Sequence, residues 1–411
     1  MIVNGPCKLQ GEIEISTSKN AILPILVAGI LSDEPIKLYR VPAISDVFII
    51  QEIIAALGMA SERKDDTLFF SGRLNSFSPP FELVRQMRAS FLLMGPILAR
   101  CGEVRISLPG GCAIGNRPID LHLKGLAALG AEIELEAGNI VARSKRLQGR
   151  HIYLDYPSVG ATENLMMAAA VAEGVSHIEN AALEPEIVDL ASFINKMGGR
   201  IFGAGTNVIR VEGVEKLHGA EYTPIPDRIE AGTYMTAIAA SGGEGLIRNV
   251  IPEHVKAVSA KLIESGARVS EGAREIHIAR RRNIRPLYIK TLPYPGFPTD
   301  MQAQMMAYLS RGSGTSIISE SVFENRFMHV QELQRMGADI RTEGRTAVIR
   351  GVKHLSPATV RASDLRAGAA LVIAGLTGNG ETVIQESEHI DRGYENMVEK
   401  MYALGADIRR E

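Results

Sequence analysis

The sequence lacks the features that mark secreted and membrane proteins. It has only three cysteines, Cys7, Cys101 and Cys112, which are too few and too scattered for a disulfide framework. The longest apolar run, residues 21–31, is about half of the roughly 20 residues needed to span a bilayer. The N-terminal residues lack the basic and apolar regions of a signal peptide. We therefore expect a protein of a reducing cytoplasm that does not insert into membranes.

The sequence also has no large excess of positive or negative charge. The formal net charge is −2, so there is no global field to recruit nucleic acid, and any bound anion must be held by local groups. The sequence contains no phosphate-binding motif of the Walker or Rossmann type. Its histidines show neither HExxH nor zinc-ligand spacing. We expect no metal, no cofactor, no nucleic acid and no obligate protein partner.

The length and a repeated phrase predict the organisation of the chain. Single hydrophobic cores stop growing at about 250–300 residues, so a chain of 411 residues predicts two domains. An apolar or small residue, a glycine and a strand-like run recur six times, and each phrase follows a segment with helical periodicity. We expect each glycine to adopt the left-handed conformation that ends a helix. These glycines, 68 to 72 residues apart, are Gly58, Gly130, Gly198, Gly266, Gly337 and Gly405.

A second helical segment in each repeat is apolar on almost every face, which is typical of helices at the centre of a domain. Each repeat is thus predicted to contain two helices and several short strands. Three repeats would form one α/β domain, and two such domains would hinge on a cleft. The six apolar segments are residues 20–31, 89–99, 161–172, 231–240, 301–309 and 367–374.

Charged and polar residues stand at the starts of these apolar helices. Helix N-termini attract anions, so six of them at one cleft would form an anion-binding region. Serine and aspartate at such positions can equally be N-caps, an alternative that we leave open for two of the residues below, Ser158 and Asp227. Lysine and arginine cannot cap in this way, which favours anion binding. The residues are Lys19, Asn20, Arg88, Ser158, Asp227, Arg228, Asp300, Asp364 and Arg366.

A glycine- and proline-rich loop, residues 107–118, carries Cys112 five residues before Arg117. A cysteine on such a loop near a cation can have a lowered pKa and increased reactivity. The alternative is that Cys112 is a small apolar side chain on a turn, and the residues alone do not separate the two interpretations. Cys7 and Cys101 have no comparable surroundings.

Several long phrases, in order along nearly the whole chain, resemble the UDP-N-acetylglucosamine 1-carboxyvinyltransferase family. The Cys112 loop is among them, and it distinguishes this family from the shikimate-pathway enolpyruvyl transferases, which share the architecture but lack the loop. The phrases occupy residues 18–21, 87–90, 109–118, 184–189, 297–304, 323–329, 363–367 and 389–395.

The resemblance implies an inside-out α/β barrel in each of two domains, formed by residues 19–226 and by residues 1–18 with 227–411. It also implies transfer of the enolpyruvyl group of phosphoenolpyruvate to the 3′-hydroxyl of UDP-N-acetylglucosamine, with release of phosphate. This reaction is the first committed step of peptidoglycan synthesis in the bacterial cytoplasm, and it serves cell wall biogenesis, cell shape and division.

The resemblance assigns four residues to the chemistry. Lys19 and Arg392, with Arg117, would hold the phosphate and carboxylate of phosphoenolpyruvate, for which the planar arginine fork is well suited. Cys112 would donate the proton that the methylene carbon gains during addition–elimination, and its thiolate could also form a covalent adduct. Asp300 would take the proton of the sugar hydroxyl.

The remaining residues that the resemblance implies are substrate contacts. Asn20 would orient phosphoenolpyruvate, while Arg326, Asp364 and Arg366 would line or support the site. Contacts to the nucleotide sugar would come from Arg88, Arg117, Pro118, Ile119, Asp120, Leu121, Ser158, Val159 and Val322.

Two residues depart from the family pattern. Tyr156 stands where some members have a lysine, so no diphosphate contact is carried over to this side chain. Thr17 stands where a glycine is often found, which we expect to change the local turn and not the role of Lys19. A non-catalytic nucleotide-sugar-binding relative remains an alternative function, although it would be expected to lose Lys19, Cys112 or Asp300, and all three are present. A purely structural repeat protein would have no reason to place lysine and arginine at buried helix starts.

Overall fold

The computed structural model describes residues 1–108 and 119–410. These residues form thirteen α-helices and twenty-three β-strands. The helices are α1 (Lys19–Gly29), α2 (Ser45–Ala56), α3 (Phe81–Val84), α4 (Met94–Cys101), α5 (Asp120–Ala128), α6 (Val159–Ala169), α7 (Pro185–Lys196), α8 (Arg228–Ser241), α9 (Lys256–Glu264), α10 (Gln302–Leu309), α11 (Val330–Arg335), α12 (Leu365–Thr377) and α13 (Met397–Ala403). Four 3₁₀ helices span Arg88–Leu93, Pro252–Val255, Thr299–Met301 and Ser387–Arg392.

The strands are short and are spread evenly over the six repeats. They are β1 (Ile2–Gly5), β2 (Gln10–Glu14), β3 (Ile36–Leu38), β4 (Ala60–Lys64), β5 (Thr67–Ser71), β6 (Glu103–Ser107), β7 (Glu132–Glu136), β8 (Asn139–Arg143), β9 (His151–Tyr153), β10 (Val175–Glu179), β11 (Arg200–Phe202), β12 (Val208–Glu212), β13 (Ala220–Tyr222), β14 (Glu244–Arg248), β15 (Arg268–Glu271), β16 (Glu275–Ala279), β17 (Tyr288–Lys290), β18 (Thr315–Ser319), β19 (Asp339–Glu343), β20 (Thr346–Arg350), β21 (Thr359–Arg361), β22 (Gly380–Gln385) and β23 (Asp407–Arg409).

The chain divides into two compact units. Among the described residues, one unit contains residues 17–108 and 119–225, while the other combines residues 1–16 with the chain from Pro226 onward. These boundaries differ by one or two residues from those implied by the family resemblance. Each unit has its own hydrophobic core.

The strands of each unit form three separate sheets. In the unit that begins at Thr17 the strand orders are β13-β3-β5-β4, β6-β8-β7 and β11-β12-β10-β9, and in the other unit they are β15-β16-β14-β2, β17-β18-β20-β19 and β21-β22-β1-β23. The predicted repeat of two helices and several strands is therefore confirmed. None of the described strands closes a sheet into a barrel, so the expected inside-out barrel is an arrangement of helices inside separate sheets.

One sheet departs from the common pattern of the other five. Each four-stranded sheet contains one parallel pair, such as β9 with β10, whereas β6, β7 and β8 pair only in antiparallel fashion. The segment before the buried helix of that repeat contains Pro79 and Pro80. Proline has no N–H to donate, which disfavours a strand here, and these residues are followed directly by helix α3.

The apolar helices predicted to be central are the buried ones. Every residue of α8, α10 and α12 from the second position onward is buried, except the terminal Ser241 of α8. The sheets instead alternate buried and exposed residues, as expected when one face packs on helices and the other meets water. Within residues 1–108 and 119–410, we find no helix long and apolar enough to cross a lipid bilayer.

The glycines that end the outer helices have the predicted backbone conformation. Gly58 has a φ of 105° and Gly198 a φ of 95°, both in the left-handed region that side chains with a Cβ rarely adopt. The chain turns there from helix α2 into strand β4 and from helix α7 into strand β11.

Candidate active site

Lys19, the first residue of α1, is held by a carboxylate from α2. Its Nζ lies 2.7 Å from Oδ2 of Asp46, and the two side chains are 11% and 2% exposed. Because the pair is largely removed from water, separating the two charges would be costly. The pair therefore restrains a positive charge near the first turns of both helices, next to the part-buried Asn20.

Arg88 is the first residue of the 3₁₀ helix Arg88–Leu93, and its positive charge contributes to the lowered pKa of a buried histidine. Burial, with a smaller contribution from the charge of Arg88, lowers the pKa of His122 to about 3, so the ring is neutral at pH 7. Nδ1 of His122 lies 3.0 Å from the amide nitrogen of Asn164, which can only donate, so the ring proton is on Nε2. This Nε2–H donor lies beside Gly160 in the first turn of α6, since a Cβ added to Gly160 would be 3.4 Å from Nε2.

Three of the predicted polar residues are N-caps. Oγ of Ser158 accepts a hydrogen bond of 3.3 Å from the third N–H of α6. Oδ1 of Asp227 accepts hydrogen bonds from the N–H groups two and three residues later, at 2.7 and 2.9 Å. Asp364 caps α12 in the same way, at 2.8 and 3.1 Å. Capping is thus the observed role of Ser158 and Asp227, and Asp364, for which the resemblance implies substrate binding, also caps its helix.

Asp300 is held between two buried arginines. Its Oδ1 lies 2.8 Å from Nη2 of Arg326, and its Oδ2 lies 3.0 Å from Nη2 of Arg366. The arginine side chains are 5% and 3% exposed, whereas that of Asp300 is 25% exposed. Two charge-assisted hydrogen bonds fix both oxygens of a carboxylate that still meets solvent. Three residues that are far apart in sequence therefore form one charged cluster, which we call the Asp300 clamp.

The charge of Arg366 is secured by its surroundings. Burial alone lowers the pKa of a guanidinium group, but the neighbouring Tyr394, Asp300 and Asp227 raise the pKa of Arg366 above its ordinary value. Its guanidinium carbon also lies 5.2 Å from the centroid of the Tyr394 ring, within cation–π distance. Arg366 thus remains a cation at neutral pH.

Val322 is positioned by a buried carboxylate that sequence reasoning missed. Oε1 of Glu320, a residue 1% exposed, accepts hydrogen bonds from the N–H of Val322 at 2.8 Å and from Thr291 Oγ1 at 2.8 Å. Its Oε2 accepts one of 2.9 Å from Thr299, the residue before Asp300. The N–H of Val322 is therefore engaged within the protein, and Glu320 joins the Val322 turn to the segment that carries Asp300.

The other predicted residues lie at helix ends. Arg392 is the last residue of the 3₁₀ helix Ser387–Arg392 and is part exposed. Ile119 precedes α5, while Asp120 and Leu121 are in its first turn. Among the described residues, no group of three or more His, Cys, Asp or Glu side chains is arranged to hold a metal ion.

Comparisons with known proteins identify the family. The family model described as EPSP synthase (3-phosphoshikimate 1-carboxyvinyltransferase) matches residues 3–401. UDP-N-acetylglucosamine 1-carboxyvinyltransferase 1 of Caldanaerobacter subterraneus is 57% identical over 98% of this chain and 97% of its own length. UDP-N-acetylglucosamine 1-carboxyvinyltransferase 2 of Carboxydothermus hydrogenoformans is 55% identical over 100% of this chain and 98% of its own. The chain belongs to the UDP-N-acetylglucosamine 1-carboxyvinyltransferase family.

Solved structures agree with this family assignment at the level of the fold. The enolpyruvyl transferase NikO from Streptomyces tendae has a TM-score of 0.90 and 25% identity, and the alignment covers 99% of this chain and 98% of NikO. An EPSP synthase from Acinetobacter baumannii has a TM-score of 0.76 at 16% identity, covering 100% and 99% of the two chains. The expected fold class is therefore confirmed.

Three predicted site residues, Cys112, Arg117 and Pro118, lie outside the described residues, so their assignments stay predictions. The described residues hold two carboxylates that the sequence analysis did not single out, Asp46 and Glu320. A sequence signal for Asp46 did exist, because it is an acidic residue in the first turn of helix α2. Glu320 accepts two local hydrogen bonds, from the N–H groups of Val322 and Phe323, but its other two, from Thr291 and Thr299, depend on tertiary contacts.

Proposed function

We propose that this protein transfers the enolpyruvyl group of phosphoenolpyruvate to the 3′-hydroxyl of UDP-N-acetylglucosamine, with release of phosphate. The proposal includes its place as the first committed step of peptidoglycan synthesis in the bacterial cytoplasm. The observation that carries it is the 57% and 55% identity, over nearly all of both chains, to two proteins named for this reaction. The 3-phosphoshikimate enzymes of the wider family support the same type of transfer to another acceptor.

The Asp300 clamp supports a role for Asp300 at the acceptor hydroxyl. In the addition step, the sugar oxygen would bond to C2 of phosphoenolpyruvate, its proton would pass to a base, and C3 would gain a proton. A carboxylate paired with two guanidinium groups is a weak base. It would accept the proton only as the new C–O bond forms and the hydroxyl becomes acidic, so its main contribution would be orientation and charge stabilisation.

The Lys19–Asp46 pair supports binding of the anionic donor substrate. Phosphoenolpyruvate carries a phosphate and a carboxylate, and Lys19, Arg117 and Arg392 would bind them, with Asn20 orienting the molecule. In the elimination step, a proton would leave C3 while the C2–O bond to phosphate breaks. Fixed cations would stabilise the phosphate as it departs, which is the reason for restraining the lysine before the reaction starts.

The proton at C3 requires a separate acid, and we propose Cys112 for this role on the family resemblance. Attack of its thiolate on C2, with proton addition at C3, would instead give a covalent adduct that retains the phosphate. The two routes make different demands on the side chain, because only the second needs sulfur as a nucleophile.

The first turn of α6 supports binding of the nucleotide sugar. The first N–H groups of this eleven-residue helix have no partner within the helix and attract anions, as would Arg88 and the Nε2–H of His122. We assign the diphosphate to this region, with Ser158 and Val159. The remaining contacts in this proposal are Arg88, Arg117, Pro118, Ile119, Asp120, Leu121 and Val322, with Arg326, Asp364 and Arg366 supporting the site.

A phosphate-release assay tests the reaction. The purified protein should release phosphate from phosphoenolpyruvate when UDP-N-acetylglucosamine is present, and neither substrate alone should suffice. Mass spectrometry should find the sugar nucleotide heavier by one enolpyruvyl group. Equal phosphate release with shikimate 3-phosphate as the acceptor would refute the proposal.

Asp46→Asn should raise the KM for phosphoenolpyruvate by about 10- to 100-fold, since a hydrogen bond between charged groups contributes about 1.5–3 kcal/mol. The physical reason is that Lys19 would lose the carboxylate that restrains it. The KM for UDP-N-acetylglucosamine should change much less. Initial rates at varied concentrations of each substrate measure both constants.

The matched control for this prediction is Asp33→Asn in the same unit. It removes a carboxylate that pairs with Arg100 and is 36% exposed. This variant should leave both KM values near those of the unmodified protein. An equal rise in the KM for phosphoenolpyruvate in both variants would show that Asp46 has no specific role.

A further inference from the structure

Tyr394 connects two groups that the proposed function uses, although it touches neither substrate in that proposal. It is two residues after Arg392, and its N–H donates a 3.0 Å hydrogen bond to the carbonyl of Ile390, which continues the end of the 3₁₀ helix. The side chain is only 1% exposed. Its ring and hydroxyl contact residues in the N-terminal halves of α8, α10 and α12.

The hydroxyl group of Tyr394 joins two of these helices. It lies 2.9 Å from Thr233 Oγ1 in α8 and 3.1 Å from Gln304 Nε2 in α10. Thr233 donates its own proton to the carbonyl of Ile229 at 2.8 Å, so Tyr394 is the donor to Thr233. The hydroxyl oxygen then accepts from Gln304, which makes Tyr394 both a donor and an acceptor in a buried network.

Two paths lead from Tyr394 to Asp300. In the first, Gln304 Nε2 also donates a hydrogen bond of 2.8 Å to the backbone carbonyl of Asp300. In the second, Arg366 packs on the Tyr394 ring and its Nη2 binds Oδ2 of Asp300. One tyrosine thus restrains both the backbone and the carboxylate of the same aspartate.

Two polar atoms of this network lack a partner among the described residues. Oε1 of Gln304 and Nη1 of Arg366 are buried and form no hydrogen bond within that part of the chain. Nε2 of Gln304 also lies 3.1 Å from Thr233 Oγ1, so loss of the tyrosine hydroxyl would leave this amide with two of its three acceptors and free to shift toward Thr233. A movement of Gln304 would be transmitted directly to the carbonyl of Asp300.

We propose that Tyr394 is a positioning residue that sets the placement of Asp300 relative to the Arg392 segment. The proposal rests on the proposed function, in which Asp300 meets the acceptor hydroxyl and Arg392 binds phosphoenolpyruvate. Transfer requires the reacting atoms to be held within a fraction of an ångström of the productive geometry, so a shift of either group would slow the reaction. The substrates would still bind, because every charged group would remain.

Tyr394→Phe tests this role, because it removes only the hydroxyl group. We expect kcat to fall by about 10- to 100-fold, with both KM values changed by less than about threefold. The control is Tyr308→Phe, which removes a buried hydroxyl that lies 2.7 Å from Ser265 Oγ. Tyr308 belongs to α10 and lies near the C-terminal end of that helix. Both variants should lose similar thermal stability, and only Tyr394→Phe should lose turnover.

A second pair of variants keeps the test decisive if Tyr394→Phe does not fold. Thr233→Ser retains the acceptor oxygen and should keep kcat, whereas Thr233→Val removes it and should lower kcat. Equal kcat values in Tyr394→Phe and Tyr308→Phe, or in the two Thr233 variants, would overturn the positioning role. Failure of the unmodified protein to release phosphate would instead refute the proposed function, so the two failures are distinguishable.

Discussion

Asp300→Asn should lower turnover by about a hundredfold to ten-thousandfold while the variant still binds UDP-N-acetylglucosamine. Asparagine keeps the size of the side chain but removes the negative charge and the proton acceptor. Arg326 and Arg366, whose side chains are 5% and 3% exposed, would then face each other's charge without the carboxylate between them. Steady-state rates give the turnover, and calorimetric titration with the sugar nucleotide gives the binding.

The control for this variant is Glu275→Gln in the same unit. Glu275 pairs with Arg248 across 3.4 Å on the surface, so its loss removes one negative charge at an exposed site, where ion pairs contribute about 1 kcal/mol or less. Turnover in this control should stay unchanged. If Asp300→Asn kept turnover within about tenfold of the unmodified protein, Asp300 would not be the proton acceptor.

Cys112→Ser should also lower turnover by about a hundredfold to ten-thousandfold, with the sugar nucleotide still bound. The serine hydroxyl is a far weaker acid than the thiol, so the proton for C3 would no longer be supplied. Cys112→Asp separates the two chemical routes, because a carboxylic acid can donate this proton but is a poor substitute for the thiolate nucleophile. Retained turnover in Cys112→Asp would favour the acid.

Cys101→Ser is the matched control for the Cys112 variants. Cys101 is exposed, and partial burial of its thiol raises its pKa despite the neighbouring Arg100, so it remains a thiol at neutral pH. We expect no change in turnover. A near-normal rate in Cys112→Ser would return Cys112 to the role of a small apolar side chain.

The repeat architecture could be predicted from sequence because its signals are local. Helical periodicity followed by glycine predicted the turn at Gly198, and the all-apolar segment 161–172 predicted a buried helix, observed as Val159–Ala169. Both patterns depend on residues a few positions apart. The three-stranded sheet of the second repeat was not predicted, because the glycine phrase and the apolar segment are the same in this repeat and the difference falls in the segment with Pro79 and Pro80.

The candidate site was less accessible to sequence reasoning because its geometry is made by distant residues. The sequence around Ser158 and Asp227 would be the same whether these residues cap a helix or bind an anion. The capping hydrogen bonds are visible only in the folded structure. Tyr394 contacts Thr233, a residue 161 positions away. Periodicity and spacing carry no information about such a pair, so the network around Asp300 emerges only when the helices are packed.

The path of the first strands has a consequence for the order in which the protein assembles on the ribosome. All described strands between residues 17 and 225 pair with one another, so these sheets can complete as soon as that stretch has been synthesised. β1 instead pairs with β22 and β23, where Ile2 faces Val383 and Arg409. β1 must therefore wait until the residues of β22 and β23 have been synthesised, and contacts over such long sequence separations form slowly. Until then β1 lacks both of its strand partners, whereas β2 can pair with β14 much earlier, and an unpaired strand is prone to aggregation.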